Sequence, residues 1–349
     1  MRHRVRSGEA RATTLNDVAR LLGISAATVS RSLSKPDMVS AKTRARVDEA
    51  VRKLGYIPHA AARALAGRGH RVVGVVIPSL RFGVFAELVE SLQAGLDRAA
   101  FGVLLGHTGG EPDREYEQVR ALVERGIDAV VLTGNSHDLE VLRLLDDAGL
   151  PAICAFDFSA DAALPCVGFD NADAAENLAQ HLIENGRDGI AMITQPVASN
   201  DRARKRVAGV KRALRRIGKA MRPGHLLECD GLLPSSREAM RDLIASGEPP
   251  NAVICFSDLI ALAAAAECRA AGLRIPDDIA IADFSGVGLS EINNPPLTSV
   301  PIPAKDIGRI IGEQLIARLE EGAPLESVRI EHALEIRGST LCGSLQTFA

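Results

Sequence analysis

The sequence has few aromatic residues, scattered cysteines and no long apolar run. Of its 349 residues only 3% are aromatic, and none is Trp. The six cysteines form no C-x-x-C pair, which argues against a zinc site or a disulfide framework and indicates reduced thiols. No apolar run reaches the ~18 residues of a membrane helix, and no apolar segment follows the basic N-terminus. We therefore expect a cytoplasmic protein with no membrane span and no secretory signal.

Common catalytic motifs are missing as well. The chain has no G-x-x-x-x-G-K-[ST] loop, no G-x-S-x-G elbow and no H-E-x-x-H pair. The nearest dinucleotide fingerprint begins at Gly286, but it lacks the third glycine and lies too late in the chain. The histidines and cysteines do not have the spacing of metal ligands. The sequence thus predicts no enzyme activity, no cofactor and no metal, and an α/β enzyme or a solute-binding protein is the alternative.

The small net charge of −3 conceals a strong asymmetry. Residues 1–71 hold 15 of the 41 Lys and Arg but only 5 of the 44 Asp and Glu, which leaves 26 basic and 39 acidic side chains in the rest. A small basic segment on a larger acidic body suggests that the segment binds a polyanion. A basic surface that is merely solvated remains the alternative.

Apolar periodicity predicts three short helices in the basic segment. Thr14 and Asp17 have the spacing of a capping box before the first helix, and Gly23 ends that helix. Ser25 and Ser40 are the predicted N-caps of the next two helices. Two helices joined by a short turn that contains Gly, followed by a supporting helix, are typical of the helix-turn-helix motif.

From Arg71 onward, apolar runs alternate with amphipathic helical stretches. Continuous apolar strands that alternate with helices predict parallel sheets covered on both faces, and two sheets fit the number of runs. Open parallel sheets bind ligands at the carboxyl ends of their strands, so we expect a site between two halves. The predicted strands are 72–78, 102–105, 129–133, 152–156, 190–194, 252–256 and 279–284, and the predicted helices are 85–100, 116–125, 139–148, 172–185, 204–217 and 259–271.

Segments 14–20, 23–31, 39–44 and 54–59 together resemble the lactose-repressor (LacI/GalR) family, and the resemblance continues to about Thr340. It implies an N-terminal all-α helix-turn-helix DNA-binding domain and an α/β core that resembles periplasmic binding proteins, with two parallel-sheet subdomains. It also implies a homodimeric transcription repressor on the nucleoid, which binds a two-fold operator with a central C-G step. An activator, or a regulator that needs a corepressor, remains the alternative, because the sign depends on operator position.

The resemblance divides the chain into segments. Residues 1–58 are the expected DNA-binding domain, 59–70 the hinge helix and linker, 71–340 the core and 341–349 a tail. Within the core, one subdomain comprises about 71–169 and 300–322, and the other comprises about 170–298 and 325–340. We expect the chain to cross between the subdomains near residues 170–171, 294–303 and 321–326.

The resemblance also implies which residues contact DNA. Ala26 and Ala27 occupy the family's main base-reading positions, where their methyl groups suit thymine, although both are equally well explained as helix formers. Arg31 suits a bidentate contact to guanine, and the hydroxyl groups suit phosphates. Leu65 is the expected wedge at the central base step, unless the hinge is a plain linker helix. The full set is Thr14, Ser25, Ala26, Ala27, Thr28, Ser30, Arg31, Thr43, Tyr56, Ala62 and Leu65.

Polar side chains at strand ends are the candidates for a small-molecule effector. Carboxylates suit polyol hydroxyl groups, and Arg202 and Arg204 suit a carboxylate or phosphate, although an arginine cluster at a helix start is as readily explained as a solvated face. Asp258 has a structural alternative, as a helix cap. The candidates are Ser79, Leu80, Phe85, Asp157, Asp170, Asn200, Arg202, Arg204, Ser257, Asp258 and Ser285.

Two segments of the sequence indicate the chemical class of the effector. Residues 74–80 with 84–87, and residues 167–171, resemble the gluconate-utilisation branch of the family, which implies a sugar acid such as gluconate. The segment Asp283-Phe284-Ser285 stands where sugar-binding members often carry Gly-Phe/Tyr-Asp. The loss of that Asp from the cleft argues against a neutral sugar such as a galactoside.

Overall fold

The computed structural model describes residues 13–34, 38–56, 70–111, 113–285 and 288–341. The chain divides into two compact units, Met1–Arg71 and Val72–Ala349. The predicted hinge, with Ala62 and Leu65, lies outside the described residues. Within the described ranges, no helix has the length and apolar character needed to cross a membrane.

The first unit contains the predicted helices, with bounds α1 Leu15–Leu22, α2 Ala26–Ser34 and α3 Ala41–Leu54. The Thr14 capping box is present, and Oδ2 of Asp17 accepts the Thr14 backbone N–H at 2.9 Å. Gly23 ends α1 at a φ of +65°, a conformation that glycine adopts without a steric penalty. The Oγ of Ser25 accepts the Thr28 N–H at 3.0 Å and so caps α2. This geometry confirms the helix-turn-helix prediction.

A small apolar core holds these helices together. Val18, Val29 and Val47 come from α1, α2 and α3 respectively, and all three are fully buried. Tyr56 packs against the same core with 6% of its surface exposed. The burial of one apolar stripe from each helix fixes their arrangement and leaves the other helix faces free.

The second unit is built from two parallel sheets. In chain order its strands are β1 Val72–Ile77, β2 Gly102–His107, β3 Ala129–Thr133, β4 Ala152–Ala155, β5 Cys166–Gly168, β6 Ile190–Thr194, β7 Leu226–Glu228, β8 Ala252–Cys255, β9 Ala280–Ser285, β10 Thr298–Pro301 and β11 Val328–Arg329. Its helices are α4 Gly83–Leu96, α5 Asp113–Glu124, α6 Leu139–Asp147, α7 Asn171–Glu184, α8 Asp201–Arg216, α9 Leu233–Ala245, α10 Asp258–Ala270 and α11 Ala304–Glu321.

Each sheet has apolar cores on both faces, as the continuous apolar strands predict. One sheet has the order β11-β5-β4-β3-β1-β2 and the other β10-β9-β8-β6-β7, with parallel pairing between neighbours. Alternate residues of β1 enter different cores, with Val75 on one face and Val76 on the other. The two-sheet α/β core is therefore confirmed.

The chain crosses between the sheets at three places. The first crossing falls between β5 and α7, and the second falls between β10 and α11, which packs against α4. The third comes later than the predicted residues 321–326, because Val328 and Arg329 pair with β5 and extend the first sheet. Glu335 then bridges to Ser299 beside the second sheet. Strand β11 thus lies in the first sheet, although residues 325–340 were expected in the other subdomain, whereas β10 lies within residues 294–303, where the second crossing was expected, and pairs with the second sheet.

Candidate functional site

The carboxyl ends of both sheets face a cleft that contains a cavity of about 580 Å³, including its open mouth. The first subdomain contributes Phe85 and Phe156, and the second contributes Gln195, Phe256 and the start of α10. This is the edge at which open parallel sheets bind ligands. Side chains of both subdomains therefore converge on one space.

The cavity wall is unusually aromatic for this sequence. Phe85 and Phe156 meet edge to face, with ring centroids 5.3 Å apart and planes at 86°. Aromatic walls pack against the apolar faces of a ligand, so only a few polar groups of the cavity determine which ligand binds. Six of the nine phenylalanines of the sequence line the cavity: Phe82, Phe85, Phe156, Phe169, Phe256 and Phe284.

Arg206 lies under these rings. Its guanidinium carbon is 3.7 Å from the ring centroid of Phe284 and 4.5 Å from that of Phe256. Nε donates to Oδ1 of Asn171 at 2.9 Å, and Nη1 donates to the Phe256 carbonyl at 2.9 Å. Burial lowers the pKa of Arg206. The rings and hydrogen bonds hold this cation in place on the cavity wall.

Arg202 lies one helical turn before Arg206 on α8 and also lines the cavity. Only 8% of its surface is exposed, and its buried Nη1 has no hydrogen-bond partner among the described residues. Burial raises the pKa of the adjacent Asp201, but the charge of Arg202 and two backbone N–H groups outweigh burial and leave that pKa lowered. The site thus holds a buried guanidinium with an unused donor beside an ionised carboxylate.

A polar network joins the two subdomains behind the cavity. The fully buried Asp157 accepts from Nδ2 of Asn135 at 2.8 Å and Nδ2 of Asn171 at 3.0 Å, and it forms a salt bridge with Lys205 of α8. Burial raises the pKa of Asp157, although Lys205 opposes that shift. The carboxylate of Asp201, also on α8, accepts the Asn135 backbone N–H at 2.6 Å.

Glycine is required at the tightest point of this network. Gly134 has a φ of +83°, and a Cβ there would lie 2.5 Å from Oδ1 of Asp201. Any side chain would therefore clash with Asp201 in addition to straining the backbone. The close contact between the two subdomains at this point therefore requires glycine at position 134.

The structure brings six of the predicted effector residues to the cleft. Phe85, Arg202, Ser257 and Asp258 line the aromatic cavity, and Ser79 and Asn200 line the space next to it. The cap of α10 is Ser257, whose Oγ accepts the Ile260 N–H at 3.4 Å, and not Asp258. Ser285 ends β9, as expected.

Four predicted effector residues lie elsewhere. Leu80 is 65% exposed and lines neither space. Asp170 caps α7, where its Oδ1 accepts the N–H groups of Ala172 and Asp173. Arg204 points to solvent and donates to the Val197 carbonyl at 2.9 Å. Asp157 is occupied by the network between the subdomains.

The strongest omission of the sequence analysis is Arg206. Its position four residues after Arg202 places both side chains on one helix face, and this spacing was the available signal. The phenylalanines at the strand ends were also missed, apart from Phe85. An aromatic residue at a strand end gives no sign of whether it faces a core or a cavity.

The helical unit presents most of its predicted DNA-contacting residues at or near its surface. Ser25, Ala27 and Arg31 are exposed, while Thr14, Ala26, Thr28, Ser30 and Thr43 are partly exposed. Tyr56 packs in the apolar core with 6% of its surface exposed, which is less than for the other predicted DNA-contacting residues of this unit that the structure describes.

The part of the chain that the structure describes contains no group of three or more His, Cys, Asp or Glu that could hold a metal ion. The described cysteines are free and buried: Cys154, Cys166, Cys229, Cys255 and Cys268.

Comparisons with known proteins agree with both units. A family model described as "Bacterial regulatory proteins, lacI family" matches residues 14–59, and one described as "Periplasmic binding proteins and sugar binding domain of LacI family" matches residues 70–337. The HTH-type transcriptional regulator GntR of Escherichia coli (strain K12) is 32% identical over 305 residues, which cover 87% of this chain and 91% of that protein. The HTH-type transcriptional repressor CytR of the same strain is 31% identical over 337 residues, with coverage of 94% and 96%.

The fold also matches a solved complex. The crystal structure of the lac repressor dimer bound to operator and the anti-inducer ONPF has a TM-score of 0.82 and 26% identity, and the match covers 95% of this chain and all of that one. Two family models cover the described units in the expected order, and the relatives are regulators rather than enzymes. The chain therefore belongs to the LacI family of bacterial regulatory proteins, and it is a DNA-binding regulator of transcription.

Proposed function

We propose that this regulator is a homodimeric repressor that loses operator affinity when a small sugar acid binds in the cleft. The observation that carries the proposal is the buried guanidinium of Arg202, a residue that lines the cavity and whose Nη1 has no hydrogen-bond partner among the described residues. A buried charged group with an unused donor is costly, and a ligand carboxylate would satisfy that donor with a strong, charge-assisted hydrogen bond.

The rest of the cavity suits the carbon skeleton of a sugar acid. The carboxylate of Asp258, the hydroxyl group of Ser257 and the amide of Gln195 offer hydrogen bonds to ligand hydroxyl groups. The phenylalanine rings offer flat apolar surfaces to the C–H faces of the ligand. This combination of one contact for an anion, a few polar contacts and aromatic walls supports a hydroxylated acid as the effector.

The position of Asp283 supports an acid over a neutral sugar. Asp283 is fully buried outside the cavity, and its Oδ2 accepts the Ser290 hydroxyl at 2.5 Å. The next residue, Phe284, lines the cavity instead. The second subdomain thus offers fewer carboxylates to a neutral polyol, whereas Arg202 and Arg206 both line the cavity. Gluconate is the specific acid that we propose first, on the resemblance of residues 74–80 and 167–171.

Replacement of Arg202 tests the effector half of the proposal. We expect Arg202→Ala to weaken gluconate binding by roughly tenfold to a hundredfold, the equivalent of a charged hydrogen bond worth about 1.5–3 kcal/mol. Isothermal titration with gluconate and related sugar acids measures this loss. The matched control is Arg143→Ala, an exposed arginine on α6 that lines no part of the cleft. Equal affinity in the wild type and Arg202→Ala would remove Arg202 from the effector site.

The helical unit is the part of the chain that we propose binds operator DNA. We propose that α2 enters the major groove, where the exposed Arg31 reads a guanine and Ala26 and Ala27 pack against thymine methyl groups. The hydroxyl groups of Ser25, Thr28 and Thr43 would hold phosphates. The proposal extends to Leu65 as a wedge at a central C-G step and to Ala62 beside it, on the resemblance alone.

Selection of random duplex DNA by the purified protein tests this half. We expect a two-fold motif with a central C-G step, which Arg31→Ala relaxes at one symmetric pair of positions at a cost of ~1–3 kcal/mol. An unchanged motif would make Arg31 a phosphate contact. Selection with and without sugar acids also gives the sign of regulation, because a motif recovered only with ligand would indicate a corepressor. Since its target is chromosomal DNA, we place this activity in the bacterial cytoplasm.

A further inference from the structure

A second, larger chamber adjoins the aromatic cavity. Its volume is about 1090 Å³, including its open mouth, against about 580 Å³ for the aromatic cavity. Phe82, Gln195 and Arg202 line both chambers, so the two are adjacent. We call the aromatic cavity the inner chamber and this second space the outer chamber. Arg202, with its unused buried donor, stands at their junction.

The outer chamber has a different chemistry from the inner one. Phe82 is its one aromatic lining residue among the described residues. Its polar lining includes Ser79, Arg81, His107 and Asn200, and Asn200 is buried, with 8% of its surface exposed. An aromatic wall favours the flat face of a ring, whereas this lining favours a group that carries hydroxyls and charge.

One carboxylate in the outer chamber is held ionised. The Ser235 hydroxyl and the Leu232 N–H donate to Asp230 and lower the pKa of its carboxyl, and the charge of Arg81 adds to this shift. Arg81 is exposed and lies near Asp230, but it does not line the inner chamber. The outer chamber therefore offers a carboxylate for hydroxyl groups and a guanidinium for an acid, side by side.

We infer that the effector extends beyond a single sugar acid such as gluconate and is an acidic disaccharide with a carboxylate on each sugar unit. One unit lies against the phenylalanines of the inner chamber, with its carboxylate on Arg202. The second unit lies in the outer chamber, with its hydroxyl groups near Asp230 and Asn200 and its carboxylate on Arg81. This inference rests on the proposed function, because it extends the same effector site.

Two features favour a two-unit ligand over a single sugar acid. A ligand confined to the inner chamber would not contact Arg81, Ser79 or His107, all of which line the outer chamber. Arg202 lines both chambers, so a sugar unit whose carboxylate lies on Arg202 in the inner chamber is next to the outer chamber. A single sugar acid would leave the larger, more polar chamber filled with water.

Matched pairs of uronic acids and their dimers test the inference. Isothermal titration of the full-length protein with galacturonate, mannuronate and guluronate, each beside its 1,4-linked dimer, gives a ratio of dissociation constants for each pair. We expect one dimer to bind at least about tenfold more tightly than its monomer, as one added charge-assisted hydrogen bond would produce. We expect Arg81→Ala to reduce that ratio to near one while the monomer keeps its affinity. Arg143→Ala should leave both values unchanged.

The outcomes separate this inference from the proposed function. If a sugar acid monomer binds and no dimer binds more tightly, the two-unit ligand is excluded and the single sugar acid stands. If Arg81→Ala weakens monomer and dimer equally, the outer chamber does not hold a second unit, and the inference fails. If neither gluconate nor any uronic acid or dimer binds the wild type, the proposed acidic effector fails, and this inference fails with it.

Discussion

At the residue scale, burial changes the ionisation of Asp283, which is fully buried. Asp283 lies within the apolar strand β9, and burial raises the pKa of its carboxyl to about 7. The Ser290 hydroxyl opposes that shift but does not cancel it. The sequence predicted that this segment departs from its sugar-binding relatives, but it did not predict that the carboxyl would be buried outside the cavity. The side of the strand that faces the cavity is decided by packing and not by residue type.

The raised pKa of Asp283 makes stability depend on pH. The folded state binds the proton more tightly than the unfolded chain, where the carboxyl has a pKa near 3.8. The contribution to stability is therefore complete below about pH 4 and is lost as the pH rises through about 7. We expect Asp283→Asn to be more stable than the wild type at pH 8, by up to about 4 kcal/mol, with a much smaller difference at pH 4.

Urea unfolding between pH 4 and pH 8 measures this difference. The exposed Asp161→Asn is the control, since it should leave the profile unchanged. Profiles of the wild type and Asp283→Asn that run parallel over the whole range would mean that Asp283 is ionised in the folded protein.

At the element scale, long periodic segments were predictable and short ones were not. The helices of the basic segment and most α/β elements follow their apolar periods, but β7 has three residues and β11 has two. Such strands exist because a neighbouring strand offers hydrogen-bonding groups, which no local pattern records. The same limit explains why the third crossing was predicted too early, because the two-residue strand β11 still belongs to the first sheet. The start of α8 was predicted three residues late, because the cap formed by Asn200 went unrecognised.

Asp170 shows how a helix cap resembles a ligand-binding residue in sequence. Its Oδ1 accepts two backbone N–H groups at the start of α7, at 2.9 and 3.0 Å. We expect Asp170→Ala to lower the free energy of unfolding by about 1–2 kcal/mol, the usual effect of losing a cap. Effector affinity should change less than about twofold, because Asp170 lines neither chamber.

Chemical denaturation and effector titration on the same samples check both parts of this prediction. Asp170→Asn keeps an acceptor at the cap and should recover most of the stability. A large loss of effector affinity in Asp170→Asn, with stability intact, would return Asp170 to the binding site.

At the scale of the whole molecule, the sequence predicted two parallel-sheet subdomains with a site between them. It could not predict which strand-end side chains converge, because that depends on how the subdomains meet. The contacts of α8 with the opposite subdomain, through Lys205 and Asp157 and through Asp201 and Asn135, decide that arrangement. Since α8 also carries Arg202 and Arg206, the helix that we propose binds the effector is the helix that links the subdomains.

Because α8 takes part in both the proposed effector site and the contact between the subdomains, we propose that effector binding and operator binding are coupled. Any coupling must be reciprocal, so the effector must change operator affinity by the same factor as the operator changes effector affinity. Typical coupling energies of 1–3 kcal/mol correspond to factors of roughly 5–150.

The most direct test is the dissociation constant for the selected operator, measured with and without a saturating sugar acid, in the wild type and in Arg202→Ala. We predict that the ligand weakens operator binding by about fivefold or more in the wild type. Arg202→Ala should bind the operator with normal affinity but need far more ligand to release it. An operator affinity that stays the same at every concentration of a ligand shown to bind the cleft would contradict the proposed coupling.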